Sequence, residues 1–181
     1  TGRPKGVRRK PVGPQVAAAA MRRGALAFGL VGEEIRSVMT GPLYHSAPNS
    51  YAMRVVATGG LLVLQPRFDA EELLRLVQDW RITHLHMVPT MFVRLLALPA
   101  AVRARYDLSS LSHVCHGSAP CPPDIKRQMI DWWGPVIHEY YAMTETGIIT
   151  VSDSAGWQRH PGSVGHAAPG VQIRIVDEAG H

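Results

Sequence analysis

Short apolar runs alternate with amphipathic helical stretches along most of this 181-residue chain. The run Leu61–Leu64 is continuously apolar, as strands buried on both faces are. The stretch that follows carries apolar residues at helical spacing, namely Leu73, Leu76, Val77 and Trp80. Strands that alternate with helices usually pair in parallel, because each helix carries the chain back to the same edge of the sheet. The sequence therefore predicts an α/β fold with a largely parallel sheet flanked by helices.

Periodicity and turn residues give the boundaries of the predicted elements. The predicted strands are Ile35–Met39, Leu61–Leu64, Ile82–Val88, Leu111–Cys115 and Val171–Val176. The predicted helices are Pro14–Leu30, Asn49–Thr58, one that begins after Asp69, Pro89–Leu98 and Asp124–Trp133. Asp69 is the predicted N-cap of its helix, with Glu72 completing a capping box. The predicted buried side of the last helix is Ile125, Met129 and Trp132. Alternation places His84 and His86 on one face of their strand, where buried, hydrogen-bonded histidines are more common than metal ligands.

Composition narrows the class of protein. The chain is 46% hydrophobic and 18% charged, which is typical of one compact globular domain. The net charge of +5 could indicate nucleic-acid binding, but no aromatic residues interleave Arg8–Lys10 or Arg22–Arg23 and no reading motif is present. The apolar stretch Val16–Val31 is interrupted by charged residues, so no membrane span is expected. We therefore expect no nucleic-acid partner and no membrane span.

The two cysteines indicate a reducing compartment, and we expect a cytoplasmic protein. Cys115 and Cys121 lie near His113 and His116, so a zinc site is conceivable. Their spacing matches no ordinary zinc-finger pattern. A zinc site is therefore disfavoured.

The stretch His138–Gly147 combines aromatic rings, a hydroxyl group and a carboxylate within one turn. Tyr140 or Tyr141 offers a flat face for a nucleotide base. Thr144 offers an O–H donor for a phosphate oxygen, and Glu145 offers a hard oxygen ligand for Mg²⁺. The alternative is an aromatic-rich strand end with an exposed glutamate. On its own, this stretch leaves both interpretations open.

Three further loops carry groups that could contact a ligand. Thr1–Gly6 is not a Walker A loop, but its glycines and lysine could form an anion cradle; the alternative is an unstructured terminus. His45 lies in the loop Gly41–Pro48 beyond a predicted strand, where open α/β sheets place ligand-binding groups. A loop histidine without a ligand is the alternative for His45. The small-residue turn His116–Pro123 joins a strand to a helix, which lets backbone groups meet a ligand directly.

Taken in order, these motifs resemble the core motifs of the acyl-adenylate-forming superfamily, and the resemblance extends over nearly the whole chain. The matching segments are Thr1–Gly6, Pro42–His45, Gly117–Pro120, Tyr141–Glu145 and Gly162–Gly165. The similarity is closest to the fatty-acyl and aryl-CoA ligase branch. It implies the large N-terminal domain of such an enzyme, of which residues 1–181 would be the central, AMP-binding part. The start of the phosphate loop and the small C-terminal domain with its catalytic lysine would then lie outside this chain.

The resemblance also implies a role for individual residues. Thr1, Gly2 and Lys5 would belong to the loop that holds the ATP phosphates. The predicted nucleotide contacts are Ser118, Ala119, Pro120, Glu139, Tyr140, Tyr141 and Thr144; the predicted acyl-site residues are His45, Ser118 and Thr146; and Glu145 is the predicted Mg²⁺ ligand. The predicted catalytic groups are Thr144, Glu145 and Lys5.

By this resemblance, the complete protein is an enzyme that activates a carboxylic acid with ATP and transfers the acyl group to coenzyme A. The expected substrates and cofactors are the acid, ATP with AMP as product, Mg²⁺ and coenzyme A. We expect the 181-residue chain alone to be inactive. The alternative is a non-catalytic nucleotide- or acyl-binding module that has kept the fold. A nucleic-acid binder is a third, disfavoured hypothesis.

Overall fold

The computed structural model describes residues 11–32 and 34–180. The strands are β1 (Arg36–Met39), β2 (Leu61–Leu64), β3 (His84–Met87), β4 (His113–His116), β5 (Ile137–Met143), β6 (Gly147–Ser152) and β7 (His166–Ala167). The helices are α1 (Pro14–Ala27), α2 (Ser46–Ala57), α3 (Ala70–Trp80), α4 (Pro89–Leu96), α5 (Ala100–Arg103), α6 (Pro123–Trp133) and α7 (Ser154–Arg159). The strands form one sheet in the order β2-β1-β3-β4-β5-β6-β7. The predicted α/β fold with a largely parallel sheet is confirmed.

The chain reverses its direction of travel across the sheet at β1. It runs from β1 through α2 to β2 on one side, and then crosses back through α3 to β3 on the other side. Strands β1 to β5 are parallel, whereas β6 and β7 are antiparallel to their neighbours. In open α/β sheets, ligands bind beyond the carboxyl ends of the strands where the winding direction reverses. That point lies here between the carboxyl ends of β1 and β3.

Each face of the sheet has its own apolar core. One face is covered by α3, α4 and α6, and its core includes Leu85, Phe92 and Met129. The other face is covered by α1 and α2, and its core includes Phe28 and Tyr51. Helices on both faces explain why the central strands are buried. Serine and histidine side chains nevertheless interrupt the apolar residues of β1, β3 and β4.

The start of α3 follows from its sequence. The carboxylate of Asp69 accepts a hydrogen bond of 2.9 Å from the backbone N–H of Glu72, as an N-cap should. The Glu72 carboxylate pairs with Arg75 at 2.6 Å. The predicted N-cap is therefore confirmed, while the reciprocal half of the predicted capping box is replaced by this ion pair.

Trp80, the last apolar residue of α3, is 45% exposed. Two predictions about buried faces are corrected in part. The buried side of α6 is made by Lys126, Met129, Ile130 and Trp133; Met129 was predicted, whereas Ile125 and Trp132 are only partly buried against the same core. Strand β2 is half-buried, because it lies at the edge of the sheet and not between two strands.

The predicted strand Val171–Val176 is also wrong, because these residues form no regular element. Alternating apolar residues become a strand only when a neighbouring strand accepts and donates their backbone hydrogen bonds. Within the described residues, no strand pairs with this segment, and Ile175 is 89% exposed. The antiparallel strands β6 and β7 were not predicted.

Between residues 11 and 180, apart from residue 33, no helix is both long and apolar enough to cross a membrane.

Candidate functional site

The loops that follow β1, β4 and β5 come to the same edge of the sheet, because these strands are parallel. These loops carry most of the predicted site residues. The residues concerned are His45 after β1, Ser118, Ala119 and Pro120 after β4, and Thr144, Glu145 and Thr146 after β5. All of them are exposed at this edge. The predicted site therefore lies at the edge of the sheet that contains the switch point.

A direct contact joins the loop after β1 to the turn after β5. The hydroxyl oxygens of Ser46 and Thr144 lie 3.3 Å apart, although 98 residues separate them in the chain. His45 immediately precedes Ser46 and is the N-cap residue of α2, with an extended backbone (φ −84°, ψ 145°). The predicted acyl-side loop and the predicted phosphate contact thus meet at the N-terminus of α2, where free backbone N–H groups favour an anion.

The turn after β4 brings Gly117 and Ser118 against Tyr140. His116 pairs with Glu139 at the end of β4, so this turn begins where β5 continues. Ser118 has a left-handed backbone (φ 68°), which is uncommon for a residue other than glycine. Gly117 is required by packing, because a Cβ atom there would lie 2.7 Å from the Tyr140 ring.

The two tyrosines have different environments. Tyr140 is buried, and its hydroxyl oxygen lies 2.7 Å from Nε2 of His86. Burial raises the pKa of Tyr140, and a hydrogen bond with Ser118 opposes the rise. Tyr141 is 47% exposed. Of the two rings proposed for the base, the structure leaves Tyr141 as the one with an accessible face, and the roles of both remain predictions.

The carboxylate of Glu139 is buried. It accepts a hydrogen bond of 2.6 Å from Nζ of Lys126, which is fully buried, and lies 3.8 Å from Nε2 of His116. The Lys126 ammonium also lies 5.0 Å from the centre of the Trp157 ring. Burial lowers the pKa of Lys126, although the hydrogen bond to Glu139 opposes this. The Glu139 side chain therefore serves a buried ion pair, and its predicted nucleotide contact stays a prediction.

Glu145 lies in the exposed turn between β5 and β6, directly after Thr144. Carboxylate and hydroxyl oxygens are the donors that Mg²⁺ takes, usually with waters and phosphate oxygens completing its shell. The residues at this turn therefore fit a Mg²⁺ ion that arrives with a nucleotide. In the described part of the chain, no group of three or more His, Cys, Asp or Glu residues could hold a metal ion by itself.

Three titratable groups near the site, His86, His116 and Cys121, are neutral at pH 7. Burial lowers the pKa of His86 to about 4. Burial and then the charge of Lys126 lower the pKa of His116 to about 3. Burial raises the pKa of the Cys121 thiol to about 11. The two imidazoles are therefore weak bases at neutral pH, and Cys121 is a thiol and not a thiolate nucleophile.

Two residues at the site were not predicted from the sequence, and three predicted residues lie outside the described part of the chain. Ser46 was missed, although a serine at a helix start is a recognisable signal. Lys126 was missed as well, because a lysine in a helix ordinarily indicates an exposed face. Thr1, Gly2 and Lys5 lie outside the described residues, so their predicted phosphate contacts stay predictions.

Comparison with known protein families finds one match over the whole chain. A family described as AMP-binding enzyme matches residues 1–181. The chain is 32% identical over 191 aligned positions to indoleacetate–CoA ligase of Aromatoleum aromaticum, covering 100% of this chain and 34% of that protein. It is 30% identical to the medium/long-chain-fatty-acid–CoA ligase FadD8 of Mycobacterium tuberculosis, covering 99% of this chain and 31% of that protein. The chain thus spans about a third of the length of these relatives.

Solved structures agree with this match. The amide bond synthetase McbA of Marinactinospora thermotolerans superposes with a TM-score of 0.80 at 27% identity, over 91% of this chain and 33% of that one. ATP-bound MatB of Rhodopseudomonas palustris superposes with a TM-score of 0.75 at 28% identity, over 90% of this chain and 32% of that one. Sequence and fold therefore point to the same group of proteins.

Proposed function

The chain belongs to the AMP-binding enzyme family, and from this membership we propose that it is the AMP-binding segment of an acid–CoA ligase. The complete protein would use ATP to convert a carboxylic acid into an acyl-adenylate and would then transfer the acyl group to coenzyme A. Residues 1–181 would form the central part of its adenylation domain. Relatives named as CoA ligases for indoleacetate and for medium- and long-chain fatty acids support this class of reaction.

The observation that carries the proposal is the contact between Ser46 and Thr144. It joins the loop after β1, where the acid would lie, to the turn after β5, where the α-phosphate would lie. The attacking carboxylate must come within van der Waals distance of the phosphorus atom before a bond can form. A site that holds the two reactants on two touching loops meets this requirement.

Two displacements make up the proposed reaction. In the first, a carboxylate oxygen attacks the α-phosphorus of ATP, the bond to the bridging oxygen breaks, and pyrophosphate leaves. In the second, the thiol sulfur of coenzyme A attacks the acyl carbon, the thiol proton is lost, and AMP leaves. A carboxylate is already a nucleophile, so the first step needs positioning and charge neutralisation more than a general base.

The residues of the site suit those tasks. Thr144 would donate a hydrogen bond to the α-phosphate, and Lys5 would place a positive charge near the outer phosphates. Tyr141 would stack on the adenine, with Ser118, Ala119 and Pro120 beside it. Glu145 would hold Mg²⁺, which supplies positive charge next to the phosphate oxygens when bound.

The nucleotide part of the proposal is tested by isothermal titration of the chain with AMP. We expect Tyr141→Ala to weaken AMP binding by about 5- to 150-fold, since base stacking on an aromatic ring contributes about 1–3 kcal/mol. Tyr141→Phe keeps the ring and should bind AMP nearly as well as the unsubstituted chain. Trp80→Ala removes an exposed ring at the end of α3, far along the chain from these loops, and serves as the control.

The ligase part of the proposal is tested with the longest natural polypeptide that contains this chain. We expect it to release pyrophosphate from ATP only when a suitable acid is present, and to form a CoA thioester. AMP binding without pyrophosphate release from any acid would instead support a non-catalytic nucleotide-binding module. If the unsubstituted chain, Tyr141→Ala and Trp80→Ala bind AMP with equal affinity, adenine does not stack on Tyr141.

A further inference from the structure

Glu139 of β5 contacts the residues at both ends of the turn after β4, which comprises residues 117–122. Before the turn, His116 pairs with Glu139 across β4 and β5, and its Nε2 lies 3.8 Å from the Glu139 carboxylate. After the turn, the backbone N–H of Lys126 donates a hydrogen bond of 3.1 Å to the carbonyl oxygen of Pro122. The Lys126 ammonium group donates a second hydrogen bond, of 2.6 Å, to the Glu139 carboxylate. Both ends of the turn are therefore held by one residue.

The middle of the same turn packs against the next residue of β5. The backbone of Gly117 lies so close to the Tyr140 ring that a Cβ atom would be 2.7 Å from it. Adjacent residues of a strand point to opposite faces of the sheet. Glu139 accordingly contacts Lys126 on the α6 face, whereas Tyr140 belongs to the core on the α1/α2 face. Two neighbouring residues of β5 thus hold the turn from opposite faces of the sheet.

The turn needs this support, because part of its backbone is unfavourable. Ser118 has a φ of 68°, in the left-handed region. A residue other than glycine keeps such a conformation only when the surrounding structure holds it there. Ser118, Ala119 and Pro120 are the residues of the turn that we propose to lie beside adenine. A shift at either end of the turn would therefore displace these groups.

Stability alone does not explain why an ion pair stands at this place. Lys126 is 0% exposed and Glu139 is 8% exposed, and the Lys126 ammonium lies 5.0 Å from the centre of the Trp157 ring. Removing two charges from water is costly, and apolar residues of similar volume often give equal or greater stability. An ion pair instead fixes the distance and direction between the two elements that carry it.

Building on the proposed ligase function, we propose that Lys126 and Glu139 are positioning residues for the adenine nucleotide. Their side chains do not contact the nucleotide. They hold the two ends of the turn after β4, and this turn presents its backbone to the base. The pair would thus convert a buried contact between α6 and β5 into a defined shape at the exposed edge of the sheet.

The test measures the affinity of AMP and of adenosine by isothermal titration, on the longest natural polypeptide that contains this chain. We expect Lys126→Met to weaken AMP binding on the order of tenfold, because residues joined in one contact network commonly couple by about that much. The turn lies beside the base in the proposed site, so adenosine should lose affinity by the same factor as AMP. A direct effect of the Lys126 charge on the phosphate would weaken AMP alone.

Two further variants separate positioning from stability. Leu74→Ala removes a fully buried side chain of α3 from the core on the same face of the sheet, so it destabilises the fold without changing the turn. We expect Leu74→Ala to bind AMP like the unsubstituted protein, at a temperature at which circular dichroism shows each variant to be folded. Adding Glu139→Gln to Lys126→Met removes the unpaired charge, and should recover stability without recovering AMP affinity. This double variant also serves as the test protein if Lys126→Met does not fold.

Different outcomes overturn different parts. If the unsubstituted protein binds AMP and the folded Lys126 variants bind it equally well, the positioning proposal is wrong and the proposed function stands. The same holds if the double variant regains AMP affinity together with stability, or if Leu74→Ala loses as much affinity as Lys126→Met. If AMP is weakened and adenosine is not, Lys126 acts through its charge and not through the turn. If the unsubstituted protein does not bind AMP, the proposed function fails, and this inference fails with it.

Discussion

Lys126 is a buried cation whose charge is balanced by a single carboxylate. Its ammonium group lies 2.6 Å from the Glu139 carboxylate, and its side chain is fully buried. Substitution of Lys126 by Met would leave the Glu139 carboxylate in the interior, with the neutral ring of His116 3.8 Å away. Breaking a buried ion pair on one side typically costs about 3–5 kcal/mol. We expect Lys126→Met to lower the free energy of unfolding at pH 7 by about that amount, measured by urea titration.

The neighbouring cation gives a matched control. Arg127 follows Lys126 on α6 but is exposed, so Arg127→Met should change the free energy of unfolding by less than about 0.5 kcal/mol. Adding Glu139→Gln to Lys126→Met removes the unpaired charge and should recover part of the loss. If Lys126→Met costs no more than Arg127→Met, the ion pair does not stabilise the fold.

Individual residues were predicted less well than the loops that carry them. The sequence placed Tyr140 and Tyr141 at the end of a strand, but it could not say which ring faces the core. Adjacent residues of a strand point to opposite faces, so a shift of one residue exchanges their environments. Here the strand is also irregular between Tyr141 and Ala142, which no local sequence signal announces.

At the scale of the elements, three histidines form a row across β3, β4 and β5 on the α1/α2 face. His84 and His113 are paired residues with ring centres 6.0 Å apart, and the His113 and His138 rings stack at 3.8 Å. Burial lowers the pKa of all three, and that of His113 falls to about 3, with the neighbouring His138 and His84 adding to burial. Asp153 acts in the opposite direction at His138.

This row should make the fold sensitive to acid. A histidine in the unfolded chain binds a proton near pH 6.5, whereas His113 in the folded chain does so only near pH 3. Its contribution to stability is complete above pH 6.5 and is lost as the pH falls from 6.5 towards 3. The unfolded state binds more protons over this window, at about 1.4 kcal/mol per pH unit for one proton. We expect the free energy of unfolding, measured by urea titration, to fall steeply between pH 6.5 and 4.

Substitution isolates the contribution of one histidine. Glutamine at position 113 cannot gain a proton. In His113→Gln, the slope of the free energy of unfolding against pH between 6 and 4 should therefore decrease by up to the contribution of one bound proton. His166→Gln changes an exposed histidine and should leave the slope as it was. An unchanged slope in His113→Gln would mean that His113 is protonated equally in the folded and unfolded chains.

The helices and parallel strands were predictable, while the antiparallel edge was not. Strands β1 to β4 are short segments separated by helices whose apolar residues recur at helical spacing, and this alternation leaves a direct signal in the sequence. Strand β6 forms by pairing with β5, and β7 forms by pairing with β6. Pairing between strands cannot be predicted from the sequence of either segment alone. The same reason explains why Val171–Val176 has a strand pattern without a strand.

At the scale of the whole molecule, the strand order creates the site. Because β2 and β3 lie on opposite sides of β1, the loop after β1 is free to meet the turn after β5, and Ser46 reaches Thr144. A rule about strand ends could predict which loops share an edge. It could not predict that the interior behind them is filled by Tyr51, His86 and Tyr140, because that depends on how helices and sheet pack together.

The final prediction concerns the chain as a catalyst by itself. Ser118, Tyr141, Thr144 and Glu145 are all exposed at one edge of the sheet, so a nucleotide bound there would be open to water on its other side. Water weakens every charge interaction that would stabilise the transition state, and losing one well-placed donor alone costs about 10²–10³-fold in rate. We therefore propose that the 181-residue chain binds AMP but forms CoA thioester at least about a thousandfold more slowly than a longer polypeptide that encloses the site. Chromatographic detection of the thioester, with the longer polypeptide as positive control, measures this ratio. A rate for the chain within tenfold of the control would mean that the exposed edge is sufficient for the chemistry.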